Sequence, residues 1–304
     1  MNALAERVAA GETRALARAA TLVENGTDAG RELIANLFPL TGRALLVGIT
    51  GPPGAGKSTL ANSLISLLRS EGKTVGVIAV DPSSPFTHGA ILGDRIRMQD
   101  HHGDPGVFIR SVATRGRLGG LGRGTLELAL LLDAAGRDVV LIETVGVGQD
   151  EIDVARLADV TVVVLAPGWG DGVQALKAGI MEIADVFAIN KADLPGADRL
   201  EQEIQAMQGL VSGDGAAVCQ VVAAEGRGMP DLLAAIRAAF AKQGQRNRRA
   251  ETWSTRLREM LTDRLLDSIP PAEFTRHAEL VTAKIEDPYT AVAILKSQLN
   301  EQSH

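Results

Sequence analysis

Gly51-Pro52-Pro53-Gly54-Ala55-Gly56-Lys57-Ser58-Thr59 fits the phosphate-binding pattern G-x-x-x-x-G-K-[S/T] at every fixed position. An apolar run, Ala44–Thr50, precedes it, and a stretch of helical periodicity, Ser58–Ser70, follows. That order is what the motif's chemistry needs. Glycines let successive N–H groups curl around phosphate oxygens, and the helix amino end adds positive potential. Lys57 can then reach β- and γ-phosphates, and the Ser58 hydroxyl can reach Mg²⁺. All nine residues are candidate phosphate contacts.

Outward from this turn, short β-branched runs alternate with helical stretches. Further strands are expected at Thr74–Asp81, Val107–Ala113, Asp138–Thr144, Val160–Ala166, Val186–Asn190 and Val218–Ala223, with helices such as Leu126–Ala135 and Asp150–Ala158 between them. The runs are continuously apolar, the mark of strands covered on both faces. They predict an α/β fold of P-loop NTPase type, a mostly parallel sheet of about seven strands flanked by helices, with ligands at the strands' carboxyl ends. Residues 1–42 read as a helical N-terminal extension ending near Pro39, 43–243 as the nucleotide domain, and 244–304 as a helical arm. In the arm, Trp253, Leu257, Met260, Leu261 and Leu265 recur at helical spacing. Pro270-Pro271 break that helix, and Asp287-Pro288 supply an N-cap and first-turn proline for the last one. The arm's apolar stripe must pack on its own subunit or on another; pairing of two subunits is the preferred expectation.

A second motif concerns the base. Asn190-Lys191-Ala192-Asp193 directly follows an apolar strand and resembles the guanine-specificity motif of GTPases. An Asp there accepts bonds from guanine's ring N–H and exocyclic amine, whereas adenine would leave the carboxylate poorly paired. GTP is therefore expected over ATP. Ala223-Ala224-Glu225 occupies the place of the second base-contacting loop, although Val222-Ala223 departs from the Ser-Ala often found there.

Three acids lie between these motifs: Asp81, Asp94 and Glu143. Carboxylates facing a phosphate loop can hold Mg²⁺ directly or through its waters. Glu143 stands where Asp is usual, and its longer side chain suggests a water-mediated contact. Gly146-Val147-Gly148-Gln149 has the glycines of a loop that rearranges when a γ-phosphate leaves; Gln149 is the candidate for orienting the attacking water. His88 and the adjacent His101-His102 have no Cys or third His at ligand spacing and read as solvated loop residues.

Bulk composition sets limits. A hydrophobic content of 45% over 304 residues supports a sizeable core, and 3% aromatics make it a core of Leu, Val, Ile and Ala. The net charge of −6 argues against a general nucleic-acid binder. The basic run Lys242–Arg249 reads as a solvated linker. A single cysteine, Cys219, forbids an intrachain disulfide and suggests a reducing compartment. No secretory signal or spanning segment is evident, so a cytoplasmic protein without membrane attachment is expected, or a mature organellar one whose targeting segment is missing.

Taken in order, Gly-Pro-Pro-Gly-Ala-Gly-Lys-Ser-Thr, Val-Asp-Pro-Ser-Ser-Pro, Gly-Ala-Ile-Leu-Gly-Asp-Arg, Glu-Thr-Val-Gly-Val-Gly-Gln and Asn-Lys-Ala-Asp resemble the MeaB/MMAA family. Those GTPases accompany adenosylcobalamin-dependent methylmalonyl-CoA mutase, and bacterial members have carried the label ArgK. The similarity begins at the Ala15–Glu24 helix and continues through the C-terminal arm. It implies a homodimeric G protein with GTP/GDP and Mg²⁺ and nothing covalently bound. Such a protein gates adenosylcobalamin loading, removes inactivated cofactor and protects the mutase. It also implies a mobile loop matching Pro167–Lys177, with Asp171 and Lys177 as switch residues beside Asp94, Gly146 and Gly148; Trp169 departs from the family's pattern. No arginine sits where an intrinsic finger is obvious, so slow hydrolysis accelerated by a partner is expected. Competing readings are a nickel-delivery GTPase, a kinase of a transport protein or small molecule, and a non-catalytic nucleotide-sensing scaffold.

Overall fold

Seven apolar runs become strands in the computed structural model, which describes residues 3–82, 101, 103–114, 123–144, 150–168, 181–209, 215–243 and 248–301. They are β1 (Leu45–Thr50), β2 (Val75–Pro82), β3 (Val107–Thr114), β4 (Val139–Thr144), β5 (Val160–Leu165), β6 (Val186–Ile189) and β7 (Ala217–Gln220). Their order across the sheet is β3-β2-β4-β1-β5-β6-β7, and every ladder is parallel. Every residue of β4, β5 and β6 is buried, as expected for strands with helices on both faces. β7 is shorter than expected. Val222 leaves the ladder to bridge Arg227, and Ala223–Glu225 closes into a 3₁₀ turn.

The longer helices described in this part are α1 (Ala3–Ala9), α2 (Thr13–Glu24), α3 (Asp28–Leu37), α4 (Lys57–Ser70), α5 (Arg123–Ala134), α6 (Asp150–Leu157), α7 (Ala197–Gln208) and α8 (Met229–Gln243). Alternation along β1 and β4 sorts residues between two cores. Val47, Ile49 and Leu141 face α4 and α8, in a cluster with Leu60, Leu64 and Leu233. Val140 and Ile142 belong to the other cluster, with Leu16, Leu33 and Leu37 of the N-terminal helices and Leu128 of α5. Each fully buried leucine contributes about 1.5–3 kcal/mol.

Polar ties fix α2 to the sheet and the entry of β1 to α5. Arg110 of β3 pairs with Glu24 of α2, Nε to Oε1 at 2.6 Å. Asp133, 4% exposed, accepts the backbone N–H groups of Gly42, Arg43 and Ala44 at 2.5, 3.1 and 2.9 Å. One carboxylate thus satisfies three donors where the chain enters β1. Asp133→Ala should lower unfolding free energy by about 2–4 kcal/mol, since orphaned donors cost more than the bonds contribute. Urea denaturation would measure it, and an unchanged midpoint would refute the bracing role.

By contacts the chain divides into two compact units, 1–246 and 247–304. The second holds α9 (Arg248–Asp267), α10 (Pro271–Thr282) and α11 (Pro288–Glu301). Pro271 opens α10 at its first turn. Asp287 caps α11, its Oδ1 accepting Tyr289 N–H at 2.9 Å and Thr290 N–H at 3.1 Å. In the single chain Leu257, Leu261, Leu265, Leu266, Tyr289 and Val292 are exposed. Among the described residues no helix is long and apolar enough to cross a membrane.

Candidate nucleotide site

Between β1 and α4 the chain makes a turn that only glycine permits at two points. Gly51 has φ +133°, and a Cβ there would lie 2.1 Å from the Val164 carbonyl oxygen of β5. Gly56 has φ +92°, and a Cβ would lie 2.3 Å from Asn190 Nδ2. Lys57 follows at the first position of α4, 7% exposed. Its Nζ donates to the carbonyl oxygens of Gly51 at 2.7 Å and Pro52 at 3.0 Å. The ammonium therefore lies against the loop it serves.

Ser58 is the next residue, and its hydroxyl donates to Glu143 Oε1 at 2.5 Å. Sheet register explains the meeting: Ile49, just before the turn, pairs with Glu143 at the end of β4. Glu143 also pairs with Ala79 of β2, and Asp81 lies two positions beyond Ala79. The Thr144 hydroxyl donates to Thr50 Oγ1 at 3.1 Å, closing β1 to β4 beneath the turn.

Asn190, 3% exposed, joins the third component. Its Nδ2 donates to the Ala55 carbonyl at 2.9 Å, and its Oδ1 accepts the Ala223 N–H at 3.1 Å. Lys191, at φ +57°, extends its Nζ to the Gly54 carbonyl at 2.9 Å. Asp193 lies exposed on the following turn; Ala223 is buried and Ala224 exposed. The motif Asn190–Asp193, the turn Ala223–Glu225 and the loop 51–59 are thereby held in one assembly at the strands' carboxyl ends. Asn190→Ala should lower unfolding free energy by about 2 kcal/mol and weaken guanine nucleotide binding by at least about tenfold. Urea unfolding and calorimetry measure the two; if neither moved, the tie would be incidental.

Asp94, Gly146, Gly148, Gln149, Trp169, Asp171 and Lys177 lie outside the described residues, as do His88, His102 and the side chain of Asp81. Among the described residues no group of three or more His, Cys, Asp and Glu side chains could hold a metal ion. Burial, then the charges of Asp231 and Glu201, push the Cys219 thiol up, away from a nucleophile's range. Sequence reasoning reads Asn190 only as part of the base motif and does not find the Thr50–Thr144 bond. The signal for both is a polar residue ending an otherwise apolar strand.

A parallel sheet with a glycine turn, a buried lysine and a hydroxyl–carboxylate pair at its carboxyl edge defines a P-loop nucleoside triphosphate-binding protein. The profile of the family described as methylmalonyl-CoA mutase-associated GTPase MeaB matches residues 16–273, and the chain belongs to that family. A Pyrococcus abyssi protein that carries the name of a GTPase is 47% identical over 313 residues, spanning 98% of this chain and 97% of its own. The Escherichia coli GTPase ArgK is 48% identical over 191 residues, 62% of this chain and 58% of its own. The mouse protein named methylmalonic aciduria type A homolog, mitochondrial, is 42% identical over 200 residues, 60% of this chain and 48% of its own. Among solved structures, the crystal structure of a protein named LAO/AO transport system kinase superposes with a TM-score of 0.70 at 27% identity, covering 99% of each chain.

Proposed function

We propose that this chain is a Mg²⁺-dependent GTP hydrolase whose nucleotide state gates adenosylcobalamin loading into an acyl-CoA mutase of the methylmalonyl-CoA type and protects that enzyme. The observation that carries the GTPase reading is the Asn190 side chain, bonded at once to the phosphate loop and to the Ala223 turn. It fixes the distance between the groups that hold triphosphate and those that hold base. The partner rests on family membership.

In this reading water attacks the γ-phosphorus in line, the bond to the β-phosphate oxygen breaks, and GDP leaves with the electron pair. Lys57 and the N–H groups of the loop receive the charge that develops on the phosphate oxygens. The hydroxyl of Ser58 and the carboxylate of Glu143 are hard oxygen donors that suit Mg²⁺, which when bound would neutralise β- and γ-phosphate charge. Asp81 and Asp94 complete the acidic set, and Gln149 orients the water. Asp193 selects guanine, with Lys191 and the Ala223-Ala224 turn around the base. Gly146, Gly148, Asp171 and Lys177 carry the change of state to the partner. The exposed leucines of α9 and the exposed Tyr289 and Val292 of α11 support a homodimer built on the arm.

The test is GTP turnover of the pure protein with and without a B12-dependent mutase. Slow turnover alone and acceleration by the mutase are expected; fast, partner-independent turnover would overturn the gating role. The likeness to a structure named as a transport system kinase favours one second reading, phosphoryl transfer to an acceptor. Label from γ-³²P-GTP appearing in a transport protein or small molecule, rather than in inorganic phosphate, would establish it.

A further inference from the structure

At the end of the sheet opposite the glycine turn, a cavity of about 220 Å³ lies between α4 and α8. Its floor is two register pairs, Leu45 with Val139 and Val47 with Leu141, which parallel pairing turns to one face. Leu64 and Leu68 of α4 and Leu233 and Ile236 of α8 are its walls. The rim differs in kind: Arg43, Lys73, Arg237 and Asp138.

Two of the rim cations are engaged. Lys73 Nζ lies 3.1 Å from Asp138 Oδ1, and Arg237 pairs with Glu71 through both terminal nitrogens, one of them at 3.2 Å. Asp138 is committed as well, accepting the Thr74 N–H and hydroxyl, each at 2.8 Å. Burial pushes its carboxyl up, but the bonds from Thr74 and Lys73 outweigh this and hold it below the usual range. Arg43 is otherwise placed. Its Nε donates to the Leu40 carbonyl at 3.2 Å, and its terminal nitrogens have no partner among the described residues. Its backbone N–H is held by Asp133 at 3.1 Å, which anchors the residue at the rim. Lys73 and Arg237 thus face Asp138 and Glu71, whereas the Arg43 guanidinium, whose backbone alone meets Asp133, faces no carboxylate among the described residues.

We propose that this cavity binds a free short-chain organic carboxylate, its apolar body in the leucine- and valine-lined slot and its carboxylate on the Arg43 guanidinium. An arginine can offer a carboxylate two parallel N–H bonds. A 150 Å³ apolar cavity elsewhere accepts benzene, so a body and head of about six to nine heavy atoms fit here. A membrane lipid's chain does not. The site is separate from the nucleotide loop, although α4 spans about 20 Å from one to the other.

The test uses the full chain and a methyl-detected NMR titration with sodium hexanoate. Saturable shifts are expected at the Val139, Leu141, Leu68 and Ile236 methyls. Butyrate and dodecanoate should bind more weakly, and hexan-1-ol at least about fivefold more weakly. Arg43→Gln should weaken hexanoate about tenfold and leave hexan-1-ol unchanged, with Arg43→Lys intermediate. Urea midpoints establish that both variants fold; if either does not, the wild-type ligand series decides alone. Absent or non-saturable shifts, hexan-1-ol equal to hexanoate, or an Arg43→Gln variant that folds and binds normally would each overturn the proposal. Dodecanoate binding most tightly would point instead to a lipid surface, and would overturn it too.

Discussion

Lys57→Ala is expected to cut GTP turnover about a thousandfold. The side chain is 7% exposed, and its ammonium is fixed between the Gly51 and Pro52 carbonyls. A charge so placed needs little reorganisation to follow phosphate oxygens as their charge grows. Removing one preorganised donor from a site shielded from water costs about 10²–10³ in turnover; the full positive charge of Lys57 puts it at the upper end. The lost bonds to two carbonyls should cost the folded chain only about 1–2 kcal/mol. Single-turnover hydrolysis, with a urea midpoint as control, separates chemistry from folding. Hydrolysis at the native rate in a folded variant would remove Lys57 from the mechanism.

Asp193→Asn should exchange one purine for another. A carboxylate accepts from both the ring N–H and the exocyclic amine of guanine, whereas an amide offers one acceptor and one donor. The donor would then oppose the amine. GTP affinity should fall by about 10²–10⁴, the range for a polar contact left unpaired once the bound base covers it. Xanthosine triphosphate, with a carbonyl in place of the amine, should bind more tightly to the variant than to the native protein. Competition calorimetry reads both changes. If GTP bound the variant as it binds the native chain, the base would be chosen elsewhere.

What could be read from the sequence follows from how local each feature is. β4 and β5 were legible because strands buried on both faces carry unbroken apolar runs. The end of β7 was not. Val221 and Ala223 stay apolar because they continue into the core beneath α8, not because they stay in the ladder, and the departure at Val222 depends on pairing with Arg227. In the site, the glycine turn, Lys57 and Ser58 are contiguous and self-announcing. The bracing by Asn190 joins residues 135 and 33 positions away, and Asp133 reaches back about ninety. No window of sequence contains such pairs. The cavity above Val139 is a gap between helices, and a gap has no residues of its own.

The first three helices resemble a prefix to a nucleotide-binding module, yet Leu16, Leu33 and Leu37 share one apolar layer with Ile78, Val140 and Ile142. A fragment trimmed to 43–243 would bare a greasy plane and take the Gly42 donor from Asp133. The minimal functional piece of this molecule is therefore set by what covers the far side of the sheet, not by where the recognisable motifs begin.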